Sequence, residues 1–202
     1  MCLFTAVSWF GSIALAGTLD ARNDPRGSDR SPAEVKAALV YKFLRFVEWK
    51  DDRFPKSSSP LSVATVGSGD VVKELKRALK GKRFGKRKIE FRQFKTPEDV
   101  KDVHLLFVTD AVGKGEDLQA ALKRLPKRGV FVVGESALLT IKGGVLNFYV
   151  EGSGKSGNVR FEINPDEAKR RQIKISADLL KLAKIVRDPE DDERAEAGEE
   201  DR

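Results

Sequence analysis

The chain has 202 residues, of which 40% are hydrophobic and 34% charged, and its formal net charge is +7. This apolar content is enough for the core of one domain of about 150 residues with polar tails. A single cysteine excludes an internal disulfide, and a single histidine excludes a histidine-rich metal site.

The charge is unevenly distributed along the chain. Residues 188–202 hold nine acidic residues and two arginines, a net charge of −7, so the rest of the chain carries +14. The densest basic segment is Lys73 to Lys95, which contains eleven lysines and arginines against two glutamates. Composition alone predicts that the acidic tail 188–202 is disordered.

The amino-terminal residues predict export. Residues 1–19 are uncharged and mostly apolar, but they are few for a membrane span. Ala14-Leu15-Ala16 has the small-x-small pattern of a signal-peptide cleavage site. We therefore expect a signal peptide over residues 1–16, a polar linker over residues 17–31 and a periplasmic location. A buried N-terminal helix or an uncleaved anchor is the alternative.

A capping box predicts the first helix of the domain, which we place at residues 32–187. Ser31 is followed by proline and, three residues later, by Glu34, so each can bond the other's backbone N–H. Apolar side chains then recur at helical spacing, which predicts a single apolar face. The residues of that face are Val35, Leu39, Phe43, Phe46 and Val47.

Strands and helices alternate through the middle of the chain. The patterns predict strands at Leu61 to Val66, Lys88 to Phe94, His104 to Val108 and Gly129 to Val133. Between them they predict helices over about 70–79, a short one after Thr96, then 116–125 and 135–141. This alternation predicts an α/β fold, a three-layer sandwich with a mostly parallel sheet.

Two further strands follow the Gly143-Gly144 turn. Alternating apolar residues predict an antiparallel hairpin that ends in Val159, Phe161 and Ile163, at an edge of the sheet. Asn164 and Ser176 are candidate caps of two later helices. On the second helix, a shared apolar face is expected for Leu179, Leu182, Ala183 and Val186.

Patterns for catalysis or metal binding are weak. Gly67-Ser68-Gly69 lies between a strand and a helix and could hold an anion, but Val72 replaces the third glycine of a dinucleotide fingerprint. His104 begins a strand that looks buried, which favours a structural role. We therefore expect no catalytic residues, no metal and no cofactor. For the basic segment, anionic lipid, an acidic partner or the chain's own tail is favoured over nucleic acid.

Several stretches resemble the YfiR/HmsC-like family. They are EVKAALVYKFLRFVEW, GGVLNFYVE, VRFEIN and IKISADLLKLAKIV. The resemblance implies an exported α/β protein, often dimeric, that binds the extracytoplasmic sensor part of an inner-membrane diguanylate cyclase. Binding would repress the cyclase and so lower cyclic di-GMP and biofilm formation. The resemblance also implies an outer-membrane lipoprotein that titrates such a regulator away.

The resemblance also leads to candidate partner-binding residues on the hairpin, which are Phe148, Arg160, Glu162 and Ile163. Strands at a sheet edge can meet other chains, although half of these side chains must point inward. The alternative is a periplasmic small-molecule sensor that uses the Gly67–Gly69 turn and works with a histidine kinase. Relatives often carry cysteine pairs, whereas this sequence has Val103 where a cysteine is common.

Overall fold

A computed structural model describes residues 30–112, 116–125, 128–136, 139–152 and 157–187. The predicted signal peptide, nearly all of the predicted linker and the acidic tail lie outside these ranges. Among the described residues, no helix has the length and apolar character needed to cross a bilayer.

The described elements follow one another as alternating strands and helices. The helices are α1 (Pro32–Phe43), α2 (Asp70–Leu79), α3 (Glu116–Arg124), α4 (Pro165–Arg170) and α5 (Ala177–Leu182). The strands are β1 (Val47–Glu48), β2 (Leu61–Val66), β3 (Arg83–Phe84), β4 (Arg87–Phe94), β5 (Leu105–Val108), β6 (Phe131–Gly134), β7 (Leu146–Glu151), β8 (Asn158–Ile163), β9 (Lys174–Ile175) and β10 (Lys184–Ile185). Short 3-10 turns cover Leu44–Phe46, Asp51–Arg53 and Pro97–Asp99.

Eight of the strands form one sheet in the order β10-β8-β7-β6-β5-β2-β4-β3. Strands β4, β2, β5, β6 and β7 are mutually parallel, and β8 returns antiparallel to β7. Strand β3 pairs antiparallel with β4, and β1 and β9 form a separate two-stranded pair. The predicted α/β fold with a mostly parallel sheet and a C-terminal antiparallel hairpin is confirmed.

The central strands are buried on both faces, as their continuous apolar runs predict. Phe107 and Phe131 face a core cluster that includes residues of α1 and α2. Leu106 and Val132 face a second cluster, beneath α3. Helices therefore cover the middle of the sheet from both sides, which is consistent with a three-layer sandwich.

The capping box of α1 is confirmed, but its predicted apolar face is partly wrong. Ser31 Oγ accepts a hydrogen bond from the Glu34 N–H at 3.3 Å, and the Glu34 carboxylate accepts one from the Ser31 N–H at 2.9 Å. Phe43 and Val47 are buried as predicted, but Val47 lies in β1 rather than on the helix, and Val35, Leu39 and Phe46 are only half-buried. The small residues on a neighbouring stripe take their place, because they let α1 approach the sheet and α2 closely; these are Ala37 and Val40.

The caps at Asn164 and Ser176 are confirmed, but the helix after Ser176 is shorter than predicted. It ends at Leu182, whose side chain is 73% exposed, and the chain then forms β10 beside β8. The N–H of Val186 donates to the Ile163 carbonyl at 2.9 Å. The outer edge of β8 presents backbone groups that need partners, and pairing them outweighs one more helical turn. The hairpin is therefore near the sheet edge, with β10 outside it.

The helix predicted over 135–141 is also wrong where it is described. Residues 139–143 form a turn, and 137–138 lie outside the described residues. The Gly144 and Lys142 N–H groups both donate to the Leu139 carbonyl, at 2.8 and 3.1 Å. A Cβ at position 144 would lie 2.5 Å from Leu139 Cγ, so the turn needs glycine there.

Candidate partner-binding face

One face of the β7–β8 hairpin is polar and lies outside both core clusters. In the register of the hairpin, Tyr149 lies opposite Arg160, and Asn147 lies opposite Glu162. Because side chains alternate across a strand, these four point to the same face, away from Phe148. The core cluster beneath α3, on this side of the sheet, contains no hairpin residue. We call this surface the open face of the hairpin.

Charges on the open face are paired with one another. Arg160 Nε lies 3.1 Å from the Glu151 carboxylate, and both side chains are more than half exposed. Lys184 Nζ, from β10, lies 3.7 Å from Glu162 Oε2. The Arg160–Glu151 pair, which is exposed on both sides, contributes about 0–1 kcal/mol to stability. The open face is thus a balanced polar surface whose charges do little to hold the fold.

Glu162 is the best-anchored residue of this surface, with only 15% of its side chain exposed. Its Oε1 accepts hydrogen bonds from Thr140 Oγ1 at 2.8 Å and from Asn147 Nδ2 at 3.4 Å. These bonds fix the carboxylate in one position, with Lys184 at its outer side. A partner would therefore meet a preorganised carboxylate beside an exposed lysine.

The structure divides the four candidate residues between the two faces of the hairpin. Phe148 is 1% exposed and Ile163 is fully buried, so both are core residues. The ring of Phe148 stacks on Phe43 at 6.0 Å and on Phe107 at 6.4 Å. Arg160 and Glu162 lie on the open face. The contact prediction therefore concerns these two, while Phe148 and Ile163 hold the strands in place from behind.

Three further residues of the open face did not enter the sequence prediction. Tyr149 and Asn147 could have been found, since they alternate with the apolar residues of the same strand. Lys184 could not, because its sequence pattern is that of a helix and only the β10–β8 pairing places it beside Glu162.

The Gly67–Gly69 turn is packed from beneath. It lies at the carboxyl end of β2, where β2 and β5 lead to opposite sides of the sheet, a position where ligands often bind in such folds. Gly67 has φ +93°, and a Cβ there would lie 2.1 Å from Thr109 Oγ1 and 2.6 Å from Val112. The first turn of α2 adds Asp70, whose charge opposes an anion. These contacts favour a tight strand–helix turn.

A different cavity lies at the opposite edge of the sheet from the hairpin. It has a volume of about 410 Å³ and is lined by Tyr41, Leu44, Arg45, Arg83, Phe84 and Gly85. Tyr41 Oη donates to the Arg83 carbonyl at 3.5 Å, and Lys82 Nζ lies 5.7 Å from the centre of the Tyr41 ring. Apolar side chains form its walls, and arginines stand at its rim.

His104 has a structural role, as the sequence predicts. Its Nδ1 accepts from the Ser62 N–H at 3.1 Å, and its Nε2 lies 3.1 Å from the Arg53 carbonyl, to which it donates as the neutral ring. The ring stacks on Phe54 at 4.4 Å. Burial lowers the pKa of His104, which keeps the ring neutral. In the described ranges, no group of three or more His, Cys, Asp or Glu is arranged to hold a metal ion.

Comparison with known proteins gives one family match. A family model described as YfiR/HmsC-like matches residues 33–184, which covers most of the chain. No curated protein matches the sequence. Among solved structures, the ABC domain in complex with L-Trp from Streptococcus pneumonia superposes with a TM-score of 0.46 at 12% identity. That alignment covers 77% of this chain and 60% of the other, so this chain spans less than two thirds of that structure.

The family match agrees with the resemblance seen in the sequence, and it includes α1, the hairpin and α5. Membership implies a periplasmic regulator of cyclic di-GMP signalling, a regulatory protein acting with a membrane partner. The chain belongs to the YfiR/HmsC-like family.

Proposed function

We propose that this protein binds the extracytoplasmic sensor part of an inner-membrane diguanylate cyclase and represses it from the periplasm. The family match over residues 33–184 carries the proposal. The apolar residues 1–19 and the Ala14-Leu15-Ala16 pattern support export. Repression lowers cyclic di-GMP and biofilm formation, and an outer-membrane lipoprotein that competes for the regulator relieves it.

Repression of this kind is a population shift. The regulator needs to bind the inactive cyclase more tightly than the active one, since equal affinity shifts nothing. Moving a cyclase from 99% active to 99% inactive requires a difference in binding free energy of about 5.5 kcal/mol. Contacts with the anchored Glu162 carboxylate are suited to this, because that group needs little ordering on binding.

The open face supplies the contact through side chains rather than through strand addition. Strand β8 is paired with β7 along its length and with β10 at Glu162 and Ile163, so at that end its backbone groups are not available to a partner strand. Arg160 and Glu162 are the proposed contact residues. Tyr149, directly opposite Arg160, adds a half-buried aromatic ring to this surface.

The test is charge reversal at Arg160. We expect Arg160→Glu to fold normally, because the Arg160 side chain is 59% exposed, and to lose repression. Cellular cyclic di-GMP should then rise to the level of a deletion strain. A matched reversal on α3, Lys123→Glu, changes the net charge equally at an exposed site and should repress like wild type.

A double variant separates the contact from the local ion pair. Glu151→Arg combined with Arg160→Glu restores an opposite-charge pair across the hairpin but inverts what a partner meets. If the open face binds the cyclase, this variant fails to repress although its fold and stability are normal. Wild-type repression by either Arg160 variant would remove the hairpin from the contact.

The cavity beside Tyr41 favours a second candidate function, the sensing of a small molecule in partnership with a histidine kinase. Its volume of about 410 Å³ is in the range of ligand sites. The arginines at the rim suit an anionic group on an apolar ligand. Two results together would favour this function. A ligand should raise the melting temperature of wild type but not of Arg45→Ala, and deletion of the gene should leave cellular cyclic di-GMP unchanged.

A further inference from the structure

The edge of the sheet farthest from the hairpin carries cations without acidic partners. We call it the basic edge and define it by six exposed side chains, namely Lys76, Lys80, Lys82, Arg83, Lys86 and Lys88. Within the described part of the chain, none of the six forms a salt bridge. Two neighbours on α2 differ: Lys73 pairs with Asp70 at 3.0 Å, and Arg77 pairs with Glu34 at 2.7 Å.

The fold places like charges against each other at this edge. Strands β3 and β4 are antiparallel, with Arg83 directly opposite Lys88 and Phe84 opposite Arg87. Like charges in directly opposite positions destabilise a strand pair. The β3–β4 turn therefore has an electrostatic strain that a bound polyanion would relieve.

The chain supplies a polyanion of its own. Residues 188–202 have a net charge of −7, with nine acidic residues among 15. The last described residue, Arg187, lies beside Asp166, with 3.1 Å between Arg187 Nη1 and Asp166 Oδ2. The described chain therefore ends next to the start of α4.

The described chain ends at the same end of the sheet as the β3–β4 turn, although at the opposite edge. Strand β10 is parallel to β8 and hence antiparallel to β4, so the carboxyl end of β10 and the amino end of β4 lie at one end of the sheet. The β3–β4 turn is at that same end, since it precedes Arg87. To reach the basic edge, the tail therefore does not have to pass from one end of the sheet to the other.

The tail is also long enough to reach the basic edge. Strands β10 and β3 are the two outermost of eight, and seven spacings of about 4.8 Å separate them by about 34 Å. Fifteen extended residues span up to about 50 Å. A tethered segment has an effective concentration on the order of millimolar, so even weak charge pairing is populated.

From these observations we propose that the acidic tail, residues 188–202, docks on the basic edge of its own domain. The tail has no large apolar residue, so the contact is electrostatic, lies over the β3–β4 turn and leaves the cavity beside Tyr41 unfilled. It neutralises half of the +14 carried by the rest of the chain. The docked tail thereby keeps other polyanions off the basic edge.

The first experiment compares the full chain with a chain ending at Arg187 by amide NMR. In low salt, truncation should shift the amides of Gly81, Gly85 and Lys86 and leave those of β7 unchanged. About 0.5 M salt should produce the same shifts in the full chain, because the Debye length falls to a few ångströms. Absence of shifts at the basic edge, or shifts confined to other surfaces, would overturn the proposal.

The second experiment adds a peptide of residues 188–202 to the truncated chain. Lys82→Glu with Lys86→Glu should weaken peptide binding at least tenfold. The matched control, Lys123→Glu with Arg128→Glu, changes the net charge equally at exposed sites and should keep binding within about twofold. Equal weakening in both variants would show attraction by net charge alone, and an unchanged affinity in the first would place the tail elsewhere; either result refutes docking at the basic edge.

Discussion

The two edges of the sheet use charged residues in opposite ways. At the hairpin edge, every strand-borne cation that faces the open surface lies within 4 Å of a carboxylate, as Arg160 does with Glu151 and Lys184 with Glu162. At the basic edge, Arg83 faces Lys88 across two antiparallel strands, and the lysines around them form no salt bridge in the described chain. Strand register, which brings distant residues together, creates this difference.

The comparison teaches that pairing, more than charge density, decides what a surface can attract. A paired surface has little long-range field and recognises a partner only at contact distance. An unpaired basic surface attracts any polyanion over about a Debye length, roughly 10 Å in 0.1 M salt. The hairpin edge is therefore suited to one specific partner. The basic edge is expected to bind polyanions without specificity unless an acidic segment occupies it.

The largest expected effect separates the packing of side chains behind the two edges, which belong to one core cluster. Phe148→Ala should lower the free energy of unfolding by about 3–5 kcal/mol, because Phe148 is 1% exposed and packed among Phe43, Phe107 and Phe161. Phe84→Ala should lower it by only about 1 kcal/mol, because Phe84, at the basic edge, is only half-buried. Urea unfolding of both variants measures the difference.

An unchanged denaturant slope is the control in that experiment, since it shows that both variants unfold from a native state as compact as that of wild type. Equal losses in the two variants would mean that β3 is as integral to the core as the hairpin. The hairpin edge and the basic edge would then contribute equally to the stability of the fold.

The next effect concerns a buried ion pair behind the hairpin. Arg171 is 4% exposed, its Nε lies 2.7 Å from Glu167 Oε1, and its Nη2 donates to the Gly143 carbonyl at 2.8 Å. Burial lowers the pKa of Arg171, while Glu167 acts against that shift. Glu167→Gln leaves a buried cation without a counterion and should lower the free energy of unfolding by about 3 kcal/mol.

The matched control for Glu167 is Glu151→Gln, which breaks the exposed pair with Arg160 and should change stability by less than about 1 kcal/mol. Thermal unfolding of both variants tests the contrast. Similar small losses for the two would show that water reaches Arg171 in solution and that this pair does not hold α4 against the turn before β7.

Much of the sheet could be predicted from the sequence because local patterns determine it. Strand β2 and helix α2 were placed to the residue, since an apolar run, a Gly-x-Gly turn and an amphipathic helix follow each other without ambiguity. The hairpin and the caps at Asn164 and Ser176 were likewise local signals. For the candidate contact residues, the sequence predicts the strands on which they lie, but not which of them point to the open face and which to the core.

What failed depends on contacts between distant residues. Lys184 and Ile185 read as helix in the sequence and form β10, because the open edge of β8 supplies backbone partners. The short strands β1, β3 and β9 have two residues each, too few for a periodic pattern. The apolar face of α1 was misjudged because close packing selected Ala37 and Val40 over larger side chains.

A smaller effect tests the cations near the basic edge through pH. Burial, and then the charges of Arg53, Arg87 and Arg92, lower the pKa of His104 below its ordinary 6.5. Below pH 6.5 His104 binds a proton in the unfolded chain but stays neutral in the folded chain. The free energy of unfolding should therefore fall as the pH drops from 6.5 toward the folded pKa. The slope can reach about 1.4 kcal/mol per pH unit.

Because His104 is the only histidine, His104→Asn should flatten the stability profile between pH 7 and 5.5, even if the variant is less stable overall. The measurement is the denaturation midpoint at each pH. A profile with the wild-type slope in the variant would assign the pH dependence to other groups. In that case the pKa of His104 does not differ between the folded and the unfolded chain.

The smallest expected effect is that of a thiol reductant, which should change neither edge. Relatives with cysteine pairs can gain about 2–4 kcal/mol from a disulfide, mainly by restricting the unfolded chain. In this chain the only cysteine is Cys2, which lies within the predicted signal peptide, and position 103 is a buried valine in the cluster beneath α3. The mature protein should therefore show the same melting temperature and the same repression with and without reductant, so that switching depends on partner or tail competition. A reproducible fall on reduction would mean that Cys2 is retained and joins two chains, which would also overturn cleavage after Ala16.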